Sequence, residues 1–261
     1  MRNEYLPQEV KILEKRKQLE DSCSFRLAWK VRSEPGQIME ASVPLIGEAP
    51  FGFASYGKDY VEILIRDVGN VSNGLTAMEE GDTMFVRGPY GHGFPMEKAR
   101  GKNLYIVAGG TGIAPIKAVI ECILSDRKAY GDVHVFLGFR SPEQLIFKEH
   151  FEQWKKEINL HISVDEAKGK CPYEVCRVTE LLGKADIGEN SMGFTCGPPT
   201  MMNFAAKGFM EKGLKEDEIY VSMERNMHCG IGKCGRCMVD GIFICKDGPV
   251  FPYSIARSLE D

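Results

Sequence analysis

No stretch of this chain reaches the roughly 18 consecutive apolar residues that a membrane-spanning helix needs. Its first twenty residues are polar and charged, without the short apolar core of an export signal. Neither sign of charge dominates. The 33 lysines and arginines against 37 aspartates and glutamates leave a net −4, so there is no basic field to hold nucleic acid or an anionic membrane surface. Internal repeats and low-complexity segments are also missing. The expectation is a globular cytoplasmic protein, and 43% hydrophobic with 27% charged residues is the composition of one. At 261 residues the chain is long enough for more than one domain.

The hydrophobic pattern changes period part-way along. Up to about residue 88 the apolar positions alternate in short runs, as in Val10-Lys11-Ile12-Leu13 and Val61-Glu62-Ile63-Leu64-Ile65. Turn signals such as Glu34-Pro35-Gly36 separate the runs. This predicts an antiparallel β-barrel or sandwich over residues 1–100. From Asn103 strands and helices alternate: a strand at 104–108, a helix at 113–125, a strand at 133–137, a helix at 144–157 and a strand at 160–164. Further helices are expected near 178–182 and 199–212, around a short strand at 193–195. That rhythm predicts a parallel sheet with covering helices over residues 101–221. Residues 222–261 are rich in glycine and cysteine and read as a small module of their own.

Nine cysteines are an odd number, and four of them crowd seventeen residues: Cys229-x4-Cys234-x2-Cys237-x7-Cys245. The opening spacing is that of plant-type [2Fe–2S] ligation, C-x4-C-x2-C with a later fourth thiolate. Seven residues before that fourth cysteine describe a short module rather than a free-standing ferredoxin. Gly230, Gly232 and Gly235 let the loop turn tightly and bring N–H groups to the sulfurs. A four-thiolate zinc site is the alternative, but zinc sites favour two paired short spacings. Cys171, Cys176, Cys23 and Cys122 lack such company and read as ordinary thiols.

Two glycine-rich turns each join an apolar strand to a helix. In the first, Gly109-Gly110-Thr111-Gly112-Ile113-Ala114-Pro115, the backbone allows a pyrophosphate to approach a helix N-terminus. Pro115 costs nothing in a first helical turn, and without a following Lys-Ser/Thr the motif is not a nucleoside triphosphate loop. The second, Thr195-Cys196-Gly197-Pro198-Pro199, puts a thiol and open backbone in the same setting.

Together these motifs resemble the ferredoxin–NADP reductase superfamily over essentially the whole chain. The resemblance implies a flavin-binding antiparallel barrel, then an NAD(P)-binding α/β domain. The appended cysteine module is similar to that of dihydroorotate dehydrogenase electron-transfer subunits. Met223–Cys237 and Cys245–Phe251 look most like the B subunits of anaerobic sulfite reductases, with the gamma subunits of archaeal sulfhydrogenases next. By position, the resemblance implies FAD contacts, with FMN the less favoured flavin, at Pro50, Phe51, Gly52, Leu64, Ile65, Arg66, Gly69 and Ser72. It implies nicotinamide-nucleotide contacts at Gly109, Gly110, Thr111, Gly112, Arg140, Cys196, Gly197 and Pro198, with Cys196 packing beside the reacting nicotinamide. The family's flavin motif normally has an arginine where this chain has Ala49 and a hydroxyl where it has Gly52. Asp165 and Glu166 favour NADH, since carboxylates repel a 2′-phosphate, whereas Arg140 leaves NADPH open.

The implied activity is electron input to a multisubunit reductase: NADH to flavin to [2Fe–2S], then to iron–sulfur and sirohaem-containing partner subunits that reduce sulfite. A dihydroorotate dehydrogenase or sulfhydrogenase complex would use the same cofactor order. Outside the enzymes, the alternatives are a zinc-stapled interaction protein and a redox sensor.

Overall fold

The alternating segments of the first third close on themselves. The computed structural model describes Asn3 and residues 5–259, and its first six strands form a closed barrel. These are β1 (Gln8–Leu19), β2 (Ser22–Leu27), β3 (Ile38–Val43), β4 (Gly47–Tyr56), β5 (Val61–Arg66) and β6 (Thr83–Tyr90), in the spatial order β1-β2-β5-β4-β3-β6. The short helix α1 (Asn70–Thr76) falls between β5 and β6. Every pairing is antiparallel. Successive side chains on a strand point to opposite faces, so one set fills the barrel: Val10, Ile12, Phe25, Leu27, Trp29, Met39, Ala41, Phe53, Ile63, Ile65, Met84 and Val86 are all buried together.

The other set makes the outer wall, and there the register matters. Across β4, β3 and β6, Pro50 lies opposite Glu40 and Glu40 opposite Arg87. One step along, Glu48 lies opposite Ser42, and Gly52 opposite Ile38. Residues directly opposite each other share a face. Pro50, Glu40 and Arg87 therefore form a row on the outside of the barrel, yet Glu40 and Arg87 are buried there.

The α/β half contains the four-residue helix α2 (Met96–Ala99) and a sheet with a regular strand–helix alternation. Its elements are β7 (Asn103–Gly109), α3 (Ile113–Ser125), β8 (Val133–Phe139), α4 (Phe151–Trp154), β9 (Asn159–Val164), β10 (Glu174–Val175), α5 (Val178–Lys184), β11 (Ser191–Cys196), α6 (Pro199–Glu211) and β12 (Ile219–Ser222). The cysteine segment adds a hairpin, β13 (Met238–Val239) and β14 (Ile242–Phe243), and the helix α7 (Ile244–Asp247). After it come β15 (Val250–Pro252) and α8 (Tyr253–Ala256). The large sheet has the order β10-β9-β8-β7-β11-β12-β15, and its registered pairs are parallel. α3, α5 and α6 pack on it.

One expectation needs correction. The helix expected over 144–157 is broken into 3-10 turns and one short α-helix. Leu145, Ile146 and Phe147 are all buried, and Phe147 adopts a left-handed backbone, so this segment packs as an irregular apolar plug rather than an amphipathic helix. By its contacts the chain divides into two units: the residues up to Gly93 with Glu224–Val250, and Phe94–Met223 with the C-terminal residues from Phe251. The cysteine segment is too small to build a core of its own, and it completes the barrel unit instead.

Candidate functional site: a nucleotide crevice and a cysteine loop

In the α/β unit the chain starts in the middle of the sheet at β7 and moves outward through β8, β9 and β10. It then returns to the other side of β7 as β11 and continues to β12. The strand order thus reverses between β7 and β11, and a crevice outside the carboxyl ends of two such strands is where α/β sheets take ligands. Both glycine-rich turns lie there, because Ala108 at the end of β7 is in register with Cys196 at the end of β11. The turns lie backbone to backbone. A Cβ on Gly112 would come within 2.4 Å of the Cys196 carbonyl oxygen, and one on Gly197 within 2.8 Å of the Gly109 carbonyl oxygen. Gly110, by contrast, has a φ of +55° with open space over it. Such a cradle suits a pyrophosphate laid against exposed backbone.

Thr111 belongs to the 3-10 turn Gly110–Gly112, Pro198 precedes α6, and Cys196 is 2% exposed. Arg140 and Glu166 follow β8 and β9 and approach to 3.7 Å, both well exposed. Asp165, also beyond β9, has its carboxyl raised above the ordinary range by burial, against the pull of Arg177.

In the barrel unit the four cysteines come together with Cys237 and Cys245 buried and Cys234 exposed. Among the described residues no group of three or more His, Cys, Asp or Glu converges on a single point as it would around one metal ion. The thiols instead associate as two pairs, Cys229 with Cys234 and Cys237 with Cys245. Backbone N–H groups are aimed at the sulfurs: Gly232 donates to Cys245 Sγ at 3.2 Å, and Lys233 and Cys234 donate to Cys229 Sγ at 3.3 and 3.4 Å. Burial works against the Cys229 thiolate, but the N–H groups of Cys234, Lys233 and Ile231 outweigh it and bring the thiol down to about 6. Burial and the adjacent Cys237 push Cys245 up to about 12. Four cysteines on one loop, with backbone N–H groups aimed at the Cys229 and Cys245 sulfurs, are a donor set that fits an iron–sulfur cluster.

Beneath this loop lies a charged network that sequence reasoning missed. Arg87, 4% exposed, donates from Nε to Glu48 at 2.7 Å, from Nη2 to the His228 carbonyl at 2.9 Å, and from Nη1 to the Tyr90 hydroxyl at 3.0 Å. It also reaches the Cys229 carbonyl. Glu40 beside it is wholly buried, with neither carboxylate oxygen hydrogen-bonded. Burial, with smaller help from the charge of Glu48, pushes its carboxyl up to about 8. A lone charge in an alternating strand looks like any solvent-facing residue, and nothing local announces that a loop 140 residues later will cover it.

The residues expected around a flavin divide by face. Ile65 and Phe51 turn into or against the barrel core, leaving only their backbone outside, while Pro50 and Gly52 share the outer face with Glu48. Leu64 is buried. Arg66 donates to Asp21 at 2.8 Å. The Ser72 hydroxyl accepts from the Val68 and Gly69 N–H groups and donates to the Gly69 carbonyl, which closes the loop into α1. Gly69 has open space where a side chain would be.

Comparison with known proteins agrees with this arrangement. Residues 106–207 match the oxidoreductase NAD-binding domain, and residues 224–255 match the iron–sulfur cluster binding domain of dihydroorotate dehydrogenase B. The sulfhydrogenase 2 subunit gamma of Pyrococcus furiosus is 35% identical over 245 residues, 86% of this chain and 85% of that one. A probable dihydroorotate dehydrogenase B (NAD(+)) electron transfer subunit of Methanocaldococcus jannaschii is 35% identical over 221 residues, 84% and 79% of the two chains. The chain belongs to the ferredoxin–NADP reductase superfamily, in its branch of iron–sulfur electron-transfer subunits. Among solved structures, an NADH-dependent reduced ferredoxin–NADP oxidoreductase studied for flavin-based electron bifurcation superposes with a TM-score of 0.79 at 25% identity, covering 94% of this chain and 88% of that one. As a member of this branch the chain has an NAD-binding and an iron–sulfur-binding region, and no helix among its described residues is long and apolar enough to cross a membrane.

Two outcomes follow. Gly112→Ala forces a methyl against the Cys196–Gly197 backbone, so the Kd for NADH measured by calorimetry should rise at least about tenfold, or 1.4 kcal/mol; an unchanged Kd would remove this turn from the nucleotide site. Glu40 keeps a proton in the folded state that the unfolded chain releases, so its destabilising effect grows as pH climbs from about 4.5 to about 8. Glu40→Met should stabilise the protein by on the order of 1–3 kcal/mol at pH 8 and by less at pH 5, read from thermal melts. Equal gains at both pH values would contradict a buried protonated carboxyl.

Proposed function

We propose that this chain is the electron-input subunit of a cytoplasmic multisubunit oxidoreductase, passing electrons from NADH through FAD and a [2Fe–2S] cluster to a partner iron–sulfur subunit. The observation that carries this reading is the occurrence, in one chain, of a dinucleotide crevice and of four gathered cysteines lying on the wall of a flavin-type barrel. A flavin exchanges two electrons with a nicotinamide and single electrons with an iron–sulfur cluster, and the cofactors supply that chemistry when bound.

The protein's share is to hold and to exclude. The Gly109–Gly112 and Cys196–Pro198 turns give backbone to the nucleotide's pyrophosphate, with Cys196 beside the nicotinamide. Asp165 and Glu166 lie where a carboxylate accepts from a ribose hydroxyl and repels a 2′-phosphate, and Arg140, within reach of Glu166, has its charge partly compensated. The preference for NADH over NADPH rests on these three side chains. Pro50, Phe51, Gly52, Leu64, Ile65, Arg66, Gly69 and Ser72 form the flavin region mostly through backbone. Arg66 must exchange Asp21 for a phosphate if it takes part. Cys229, Cys234, Cys237 and Cys245 are the cluster ligands, with the N–H groups of Gly232, Lys233 and Cys234 hydrogen-bonded to sulfur.

The partner determines the terminal acceptor. The relatives named above belong to a sulfhydrogenase and to dihydroorotate dehydrogenase B, and these favour an acceptor complex of one of those kinds. Sulfite reduction through a sirohaem-containing partner draws no support from them and rests on the likeness of the cysteine segment alone.

An anaerobic absorbance spectrum of the purified chain, with iron, zinc and flavin assayed on the same sample, tests the reading. The expected result is one flavin and two irons per chain, both chromophores bleached by NADH, and loss of the iron in Cys237→Ser. A colourless protein carrying one zinc, or a cluster that NADH leaves oxidised, would overturn it in favour of an interaction module or a redox sensor.

A further inference from the structure

The outer wall of the barrel buries a charge that the barrel itself does not need. Arg87 replaces what could be an apolar side chain on β6, and burying an ion pair brings little net stability compared with apolar packing. Its hydrogen bonds show what it is used for instead. One side of the guanidinium forks onto the carboxylate of Glu48 on β4, and Nη1 meets the Tyr90 hydroxyl. The remaining hydrogens go to two consecutive backbone carbonyls, His228 and Cys229, at the start of the cysteine loop. Glycine at 230 completes the seat, because a Cβ there would lie 2.8 Å from the Tyr90 ring and 3.3 Å from Arg87 Nη1.

We infer that Arg87 is a positioning residue for electron transfer: it locks the cluster loop to the barrel wall, and its charge, opposed by Glu48, sets the reduction potential of the cluster. The inference rests on the proposed role of the four cysteines as cluster ligands. Reduction adds one negative charge to the cluster. A guanidinium bonded to the carbonyl of a ligand residue stabilises that added charge across a poorly screened distance, whereas the Glu48 carboxylate opposes it. The same contact fixes distance. Arg87, Glu40 and Pro50 lie in one row across three adjacent strands, so the anchor is two strand spacings, about 10 Å, from Pro50 in the proposed flavin segment. Arginine suits the task where lysine does not, since only a planar fork bonds a carboxylate and two carbonyls at once.

The test is a potentiometric titration of the iron-loaded, full-length protein, followed by the electron paramagnetic resonance of the reduced cluster. Glu48→Gln removes the opposing charge and should make reduction easier. Arg87→Gln removes the favourable charge and should make it harder. Each should change the one-electron equilibrium by at least tenfold, 59 mV, in opposite directions. Arg87→Lys should restore the potential to within tenfold of wild type while a chelator strips its iron at least several-fold faster. Should Arg87→Gln lose its iron but keep its flavin and its circular dichroism, the anchoring is upheld and Glu48→Gln alone decides the tuning. Potentials within tenfold of wild type in both Gln variants, or shifts of the same sign, would overturn the inference. A wild-type protein without iron would instead overturn the cluster reading on which it rests.

Discussion

A buried guanidinium ties the cysteine loop to the barrel wall. Arg87, on the last barrel strand, is held by Glu48 and Tyr90 and donates to the backbone of His228 and Cys229. By itself the cysteine segment is a glycine-rich excursion with a short hairpin and one short helix, too little to order itself. The Arg87 contact at its start and the bond from the His92 N–H to the Gly248 carbonyl near its end hold it to the barrel, and Glu224–Val250 and the barrel make one unit. The electrostatic cost is visible in the neighbourhood. Glu40 is kept out of water with no hydrogen bond and holds its proton up to about pH 8, so the wall accommodates one charged pair rather than two competing carboxylates.

The other half of the molecule follows from sheet topology. Beginning the sheet at its centre and filling it in both directions creates one place where the carboxyl ends of adjacent strands diverge. Glycines at 112 and 197 allow the two turns there to touch through backbone, Gly109 leaves room for the Met201 side chain, and Gly110 leaves the top of the crevice open. In the proposed reading the nucleotide is held mainly by backbone, and Arg140, Asp165 and Glu166, beyond the ends of β8 and β9, are the side chains proposed to distinguish one nicotinamide nucleotide from another.

Most of this was legible in the sequence because it depends on local rules. Alternation with period two identified the barrel strands, the strand–helix rhythm identified the parallel sheet, and the cysteine spacing identified the loop. What escaped depends on long-range packing. The 144–157 segment has enough apolar residues for a helix, but burial of Leu145, Ile146 and Phe147 together forced it out of helical geometry. The anchor of the cysteine segment escaped because it is an arginine some 140 positions earlier, in a strand where alternation predicts an exposed charge. Arg66 and Ser72, read from the resemblance as flavin contacts, are each engaged within the protein, Arg66 with Asp21 just before the neighbouring strand β2 and Ser72 with the backbone that leads into α1.

The central claim is that the cluster loop is part of the barrel's folded unit and not a tethered tail. Hydrogen–deuterium exchange on the purified full-length protein measures this directly. The account predicts that amides of residues 228–237 exchange slowly, with protection approaching that of β3 and β6, and that Arg87→Gln releases the loop amides while the barrel strands stay protected. Fast exchange of the loop in the wild-type protein, on the scale of an unstructured segment, would contradict it.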